Sequence, residues 1–188
     1  MNVIITNRLQ LRPFQTSDIP HIVQLLSTPD IAKTTLNIPY PYREEDARAW
    51  IELQEKHRAT GAGYTFAITR RDDAQLLGAI DIRPQSCHRK AEIGYWIGVP
   101  YWGQGYATEA VQTIIRYGFE MLDLNRIYAL HFTDNPASGR VMQKAGMTFE
   151  GILREDVLKG DTFRDHAIYA MLRKDWEKDS QSASGSKS

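Results

Sequence analysis

Residues 103–105, Gly-Gln-Gly, stand between the apolar run "IGYWIGV" and a segment with helical periodicity beginning near Tyr106. Glycine allows a sharp turn or a close approach to the backbone, and the first turn of a helix carries free N–H groups at the positive end of its dipole. The chemistry this favours is anion binding, with phosphate the usual occupant. A plain strand-to-helix turn would use the same residues. A P-loop requires lysine before its helix, and "GQGYAT" has none. A dinucleotide fingerprint requires Gly or Ala where Thr108 stands, and its acidic ribose ligand, Asp123, would follow a helix instead of ending a strand. Cys87 beside His88 has the composition of a nucleophile pair, yet neighbours on an extended chain point to opposite faces, and "RPQSCHRK" reads as a polar hairpin connection. His21, His57 and His166 show no ligand spacing, so no metal site is expected. His131 reads as a packed histidine, or as one facing a cleft near Asn135.

These residues need a scaffold, and the chain's length and composition bound it. At 188 residues one domain is expected, over residues 1–177, with a disordered tail at 178–188 where "DSQSASGSKS" lacks apolar content. Acidic and basic side chains balance at 23 each, so no overall field recruits nucleic acid or an anionic membrane. The single cysteine excludes an internal disulfide and fits a reducing compartment. The first residues lack a signal peptide's apolar run, and no segment has the uninterrupted apolar length of a membrane span. A cytoplasmic protein is expected.

The pattern alternates without an internal repeat. "RLQLRPF" opens as a strand, and "TSDIPHIVQLLS" is a helix capped by Thr16 or Ser17 with Pro20 in its first turn. "TPDIAKTTLNIPYPY" reads as a proline-punctuated connection, and "REEDARAWIELQEKHRATG" as a helix with acids first and glycine last. Strands follow in "GYTFAITR", "QLLGAIDIR" and "AEIGYWIGV", the first two joined by a turn at "RDDA". A helix from Gly105 to Met121 carries Ala107, Ala110, Val111, Ile114, Ile115, Gly118 and Phe119 on one stripe. "NRIYALHF" is a strand and "NPASGRVMQKAG" a short helix, after which "FEGILREDVLK" and "TFRDHAIYAMLR" form a hairpin at "KGD". The class is mixed α/β (α+β), around one sheet.

"AEIGYWIGVPYWGQGYATEA" followed by "NPASGRVMQKAGMTFEG" resembles the GNAT acyltransferases, and within them the ribosomal-protein N-acetyltransferase (RimJ/RimL-type) branch, over residues 7 to 175. The resemblance implies a mostly antiparallel central sheet, splayed between its fourth and fifth strands, with helices on both faces. It implies acetyl-CoA as acetyl donor. The family's Gln/Arg-x-x-Gly-x-Gly/Ala loop maps onto Trp102, Gly103, Gln104, Gly105, Tyr106 and Ala107; Trp102 departs from Gln or Arg and leaves phosphate binding to the amides of Gln104 to Thr108. The strand through Trp96, Ile97, Gly98 and Val99 would pair with the pantetheine arm like an added strand. An N–H near Trp96 and Ile97 would serve as oxyanion donor. Asn135 would bond the arm's amides from the other lip, and it can also cap the following helix.

The implied chemistry is attack by an amine on a thioester, which needs a base for the amine's proton and a donor for the departing thiolate. Ser138 matches the serine proposed as that donor. For the base, Asp156 stands where related enzymes place a glutamate, Glu92 begins the splayed strand, and Glu109 suits the helix dipole better than catalysis. The reading is an N-acetyltransferase working through a ternary complex on a primary amine, the α-amino group of a protein such as a ribosomal protein being favoured. The alternatives are a small-amine or polyamine acetyltransferase, a non-catalytic acyl-CoA-binding protein and, from another class, a nucleotide-binding module.

Overall fold

The computed structural model describes residues 3–178. In chain order it contains β1 (Ile4–Ile5), β2 (Leu9–Arg12), α1 (Ile19–Leu25), α2 (Pro29–Thr34), α3 (Glu44–Thr60), β3 (Tyr64–Arg70) and β4 (Leu76–Gln85). Then come β5 (Lys90–Ile97), α4 (Tyr106–Met121), β6 (Arg126–Phe132), α5 (Pro136–Lys144), β7 (Thr148–Lys159) and β8 (Thr162–Leu172). Residues 173–178 are helical, so Lys178 ends a helix instead of opening a tail, and the remainder of the expected tail lies outside the described residues. The strands make one sheet in the order β1-β2-β3-β4-β5-β6-β8-β7. Every junction is antiparallel except β5–β6, which is parallel. The mixed α/β class and the mostly antiparallel sheet agree with the sequence reading. Its fourth and fifth strands are β5 and β6, because the two-residue β1 adds one to the count.

Period-two alternation divides the sheet's side chains between two helical layers. Ile80, Ile82 and Ile93 pack against Val111, Ile114 and Phe119 of α4. Ala67, Ala79 and Trp96 face the opposite layer, where Ile22, Ile31 and Ile51 come from α1, α2 and α3. The α4 stripe is buried as its spacing predicts, except that Ala107 is only half-buried and Tyr106 joins the core. Gly118 lets β-strand side chains close in, since a Cβ there would stand 2.6 Å from Ile127 Cδ1 and 2.9 Å from Ile82 Cδ1.

Two local expectations are corrected. The proline-punctuated connection contains α2, because Pro29 occupies a first-turn position where its missing N–H is no loss, and Ile31 anchors the turn in the core. Neither Thr16 nor Ser17 caps α1. They lie in a 3-10 turn whose entry is closed by Asp18, which accepts from Gln15 N at 2.8 Å and pairs with Arg12 at 2.7 Å. The acid serves both as cap and as ion partner, which outweighs a hydroxyl cap.

The parallel β5–β6 ladder runs from Lys90↔Arg126 to Ile93↔Ala129 and stops. Beyond it β5 is held from one side only, by β4, through pairs reaching Gly78↔Ile97. That approach is close: a Cβ on Gly78 would fall 2.1 Å from the Trp96 carbonyl oxygen and 2.9 Å from Ile97 Cα. Backbone cannot yield as a flexible side chain does. Gly78→Ala is expected to lower stability by about 2 kcal/mol or more and to displace the end of β5. Thermal unfolding and the acetyl-CoA affinity should therefore fall together, and an unchanged melting temperature would contradict the close approach.

Candidate functional site

Gly98 N donates to Leu77 O at 2.8 Å, so these directly opposed residues form a hydrogen-bonded pair. Antiparallel pairs alternate, which makes Trp96–Ala79 hydrogen-bonded and Ile97–Gly78 and Tyr95–Ile80 the open kind. The main-chain groups of Trp96 are thus spent on β4. Those of Tyr95 and Ile97 point away from it, toward the gap beside β6. Of the two residues expected to offer an oxyanion donor, Ile97 is the one whose N–H faces the gap. Gly98 donates to Leu77 and accepts from Tyr101, and the Val99 carbonyl accepts from Trp102 N, so their backbone builds the 3-10 turn Val99–Tyr101.

That turn leads into the glycine loop. Gly103 and Gly105 adopt φ +73° and +82°, the left-handed region that glycine enters without penalty. The first α4 bond is Glu109 N to Gly105 O at 3.1 Å, which leaves the N–H groups of Tyr106, Ala107 and Thr108 without a helical partner. Trp102 has a role the motif comparison did not reveal: its Nε1 donates to Ile97 O at 2.6 Å, tying the loop to the strand end. Gln104 faces away from the gap, its side chain donating to Pro100 O and its carbonyl accepting from Arg8. Arg8 is the residue sequence reasoning missed. Its Nε pairs with Glu109 at 2.7 Å and its guanidinium packs over Tyr106, placing a cation beside Gly105. Glu109 also accepts from Thr6 Oγ1 and Arg8 N, so its part is to strap the N-terminal segment onto the loop.

Across the gap, Asn135 caps α5, its side chain accepting from Ser138 N at 3.4 Å. Ser138 Oγ lies 2.7 Å from the Tyr95 hydroxyl, which also reaches Ser138 O at 3.2 Å. This contact joins β5 to α5 above the unpaired strand ends, and burial pushes the Tyr95 phenol up to about 12. Tyr95 stayed hidden because an aromatic in an apolar strand reads as core; counting back two residues from Ile97 would have found it. His131 is packed, its Nδ1 2.7 Å from Phe132 O.

The three acids separate. Asp156 Oδ2 lies 2.7 Å from His166 Nδ1. His166, with 9% of its side chain exposed, stacks on Phe132 at 5.0 Å between ring centroids. Glu92 sits at the closed end of the ladder, opposite Tyr128, with Arg83 Nη2 at 2.7 Å. Arg83 also pairs with Asp81, so one guanidinium serves two carboxylates. Burial pushes the Asp81 carboxyl up to about 6 against the pull of Arg83, and Glu92 adds to the rise. A cavity of about 2430 Å³ joins these parts, from Gly105 and Thr108 past Tyr95 and Ser138 to Trp50 and His166.

A family model described as an acetyltransferase (GNAT) domain matches residues 8–148. The chain belongs to the GNAT acetyltransferases. It is 32% identical to an uncharacterized N-acetyltransferase of Bacillus subtilis, YoaA, over 91% of this chain and 97% of that protein. It is 27% identical to a ribosomal-protein-serine acetyltransferase of Escherichia coli, over 89% and 94%. A Bacillus anthracis GNAT-family acetyltransferase structure superposes with a TM-score of 0.82 at 28% identity, covering 92% of this chain and 99% of that one. This GNAT enzyme is an acetyl-CoA-dependent N-acetyltransferase. Its residues fit the donor: glycines open the loop, free amides suit the pyrophosphate, and the Tyr95 and Ile97 edge suits an amide-bearing arm.

Two outcomes test this site. Gly105→Ala must hold a β-carbon at φ +82°, costing about 1–3 kcal/mol of stability, and should raise the acetyl-CoA KM about tenfold, equivalent to about 1.4 kcal/mol. An unchanged KM in the folded variant would remove the loop from the phosphate site. Asp81 has a native pKa above its ordinary 3.8, so its stabilising contribution is present below about pH 4 and lost as pH rises through about 6. Asp81→Asn mimics the protonated form. Its stability relative to wild type should rise across that window by at most about 3 kcal/mol and level off above it, as read by thermal unfolding at several pH values.

Proposed function

We propose that this acetyltransferase acetylates the N-terminal α-amino group of a protein, a ribosomal protein being the favoured acceptor. The observation that carries the reading is the size and continuity of the cavity. At about 2430 Å³ it exceeds the ~300–1,000 Å³ of common small-molecule sites, leaving room beside the donor for several residues of extended peptide. Its acceptor half is lined by Trp50, Leu53 and Trp96 on the α1–α3 side, surfaces suited to peptide side chains. The similarity to a ribosomal-protein-serine acetyltransferase supports the same class. A cytoplasmic setting suits Cys87, which is exposed and unpaired.

Both substrates bind before chemistry, and the amine attacks directly. The backbone N–H of Ile97 stabilises the developing oxyanion. The Ser138 hydroxyl, relayed from Tyr95, returns a proton to the thiolate sulfur. Asn135 serves as helix cap and, from the same lip, as a partner for the donor's amides. Glu92 lines the cavity, and Asp156 reaches the cavity by way of His166. A second reading has one specific support: Asp46, Asp81 and Glu92 line the acceptor half, and their negative charge also suits a polyamine.

Competing these acceptors distinguishes the readings. A peptide with a free N-terminal serine or alanine should be acetylated at its α-amine, while the same peptide blocked at the N-terminus and carrying an internal lysine, or spermidine, should turn over at least tenfold more slowly by kcat/KM. Faster turnover of spermidine would replace the protein acceptor with a polyamine. Ser138→Ala should lower kcat about ten- to hundredfold with the acetyl-CoA KM nearly unchanged, as followed by thiol release; a loss confined to KM would make Ser138 a binding residue instead.

A further inference from the structure

We propose that His166 is the general base of the transfer and that Asp156 is its positioning residue. The proposal rests on the acetyltransferase reading above and names the group that reading leaves open. The family resemblance favours the carboxylate, but in the structure the imidazole stands between it and the cavity. His166 lines the cavity; Asp156 stands behind it, against Nδ1 at 2.7 Å. A carboxylate accepts a hydrogen bond, so Nδ1 carries the proton, and in the neutral imidazole Nε2 keeps its lone pair. Among the described residues Nε2 has no hydrogen-bond partner, and it is not among the polar atoms sealed from solvent.

Register places this lone pair where the reaction needs it. Continued past Ile93↔Ala129, the β5–β6 register would set Trp96 level with Phe132, and Phe132 pairs with His166 on β8. Trp96 and the stacked Phe132–His166 pair therefore stand at one height across the gap, beside the free N–H of Ile97. The stack fixes the ring plane, with 16° between the two rings, and Asp156 fixes its rotation about χ2. A base held in both senses is positioned at no cost during turnover. Sequence reasoning set His166 aside because it sought metal spacing; its carboxylate partner is ten residues away, across the β7–β8 hairpin.

The charges around the ring are Asp156 from β7, Lys159 from the same strand's end, Arg164 on β8, and Asp134 following β6. Lys159 and Arg164 both lie over the Phe132 ring, at 5.1 Å and 4.9 Å, and Arg164 is paired with Asp134. Asp156 is the group hydrogen-bonded to the ring itself, while Lys159 and Arg164 stand over the neighbouring Phe132 ring. The protons balance. His166 Nε2 takes one proton from the acceptor ammonium and passes it to solvent. The freed amine's nitrogen bonds to the acetyl carbon, the carbon–sulfur bond breaks, and the nitrogen's second proton leaves through His166. The Ser138 hydroxyl protonates the thiolate sulfur and is reprotonated through Tyr95 and solvent. The net release is one proton per amide formed.

The test uses His166→Gln and Asp156→Asn in the full chain, with acetyl-CoA binding followed by thermal shift. His166→Gln should lower kcat/KM for the acceptor peptide about a hundredfold or more and abolish the ascending limb of its pH profile, with acetyl-CoA affinity unchanged. Asp156→Asn should lower it less and displace the limb, because the base remains but loses its orienting partner. Nitrogen-15 NMR of imidazole resonances in the unliganded protein should show His166 protonated at Nδ1, and that tautomer weakened in Asp156→Asn. His166→Gln with full activity and an intact limb would overturn the proposal, as would an Nε2-protonated His166. If His166→Gln does not bind acetyl-CoA, His166→Ala with added imidazole decides, since rescue supports a base and its absence opposes one. An inactive wild type against every amine would instead defeat the acetyltransfer reading, and the NMR tautomer would still report on the pair.

Discussion

The parallel ladder between β5 and β6 ends at Ile93 and Ala129, and the rest of the structure is arranged around that interruption. Main-chain groups in the middle of a sheet are ordinarily paired, since each left unsatisfied away from water costs about 1–3 kcal/mol. Here the fold leaves the cleft-facing groups of Tyr95 and the N–H of Ile97 without a strand partner. Several contacts hold the opening. Trp102 occupies the Ile97 carbonyl, the Tyr95 hydroxyl reaches over to Ser138, and Gly78 lets β4 press directly on the backbone of Trp96 and Ile97. A strand end fixed from three directions and left open on a fourth is a preformed docking edge. Binding there needs little reorganisation of the protein.

Charge is distributed to match. The donor end carries the dipole of α4 and the Arg8 cation, which Glu109 holds against the loop. The acceptor end carries Asp46, Asp81 and Glu92, with only Arg83 between the last two. The cavity thus has the Arg8 cation at the glycine loop and the carboxylates of Asp46, Asp81 and Glu92 at its far end. At the acceptor end Lys159 also closes the fold, donating to main-chain carbonyls of Ala32, Lys33 and Thr35 at the end of α2. Desolvation lowers the lysine's pKa there. The β7–β8 hairpin and the N-terminal helices are thereby tied into one acceptor wall.

The donor half was legible in the sequence because its chemistry is carried by the backbone. Glycines at 103 and 105 and the helix starting at Tyr106 are local signals, and they placed the loop before any tertiary contact was known. The α4 stripe was equally legible, since period 3.6 reports directly on which face is covered. The acceptor half was not. α2 was obscured by the prolines in and after it, and Arg8 acts on a loop 96 residues away, through Gln104. The dyad joins residues on neighbouring strands, and no spacing rule distinguishes Asp156 beside His166 from any other hairpin pair. Trp102 was legible only as a departure from a pattern; its hydrogen bond to Ile97 shows it to be a solution of its own.

The sheet's period of two also separates the Tyr95–Ser138 contact from the Asp156–His166 pair. Tyr95 and Trp96 are neighbours on β5, yet Tyr95 turns toward α4 and α5 while Trp96 turns toward α1–α3. On β6 the same alternation separates His131, packed against Gly139 of α5, from Phe132, and on β8 it separates Ala167 from His166. Tyr95, Ser138 and α5 therefore lie on one face of the sheet. The Phe132, His166 and Asp156 group lies on the other. The Tyr95–Ser138 contact and the Asp156–His166 pair thus stand on opposite faces of a sheet parted at this level. A one-residue slip of β5 would exchange the two faces and bring Tyr95 to the acceptor side. The close fit of Gly78 against Trp96 and Ile97 is what fixes that register.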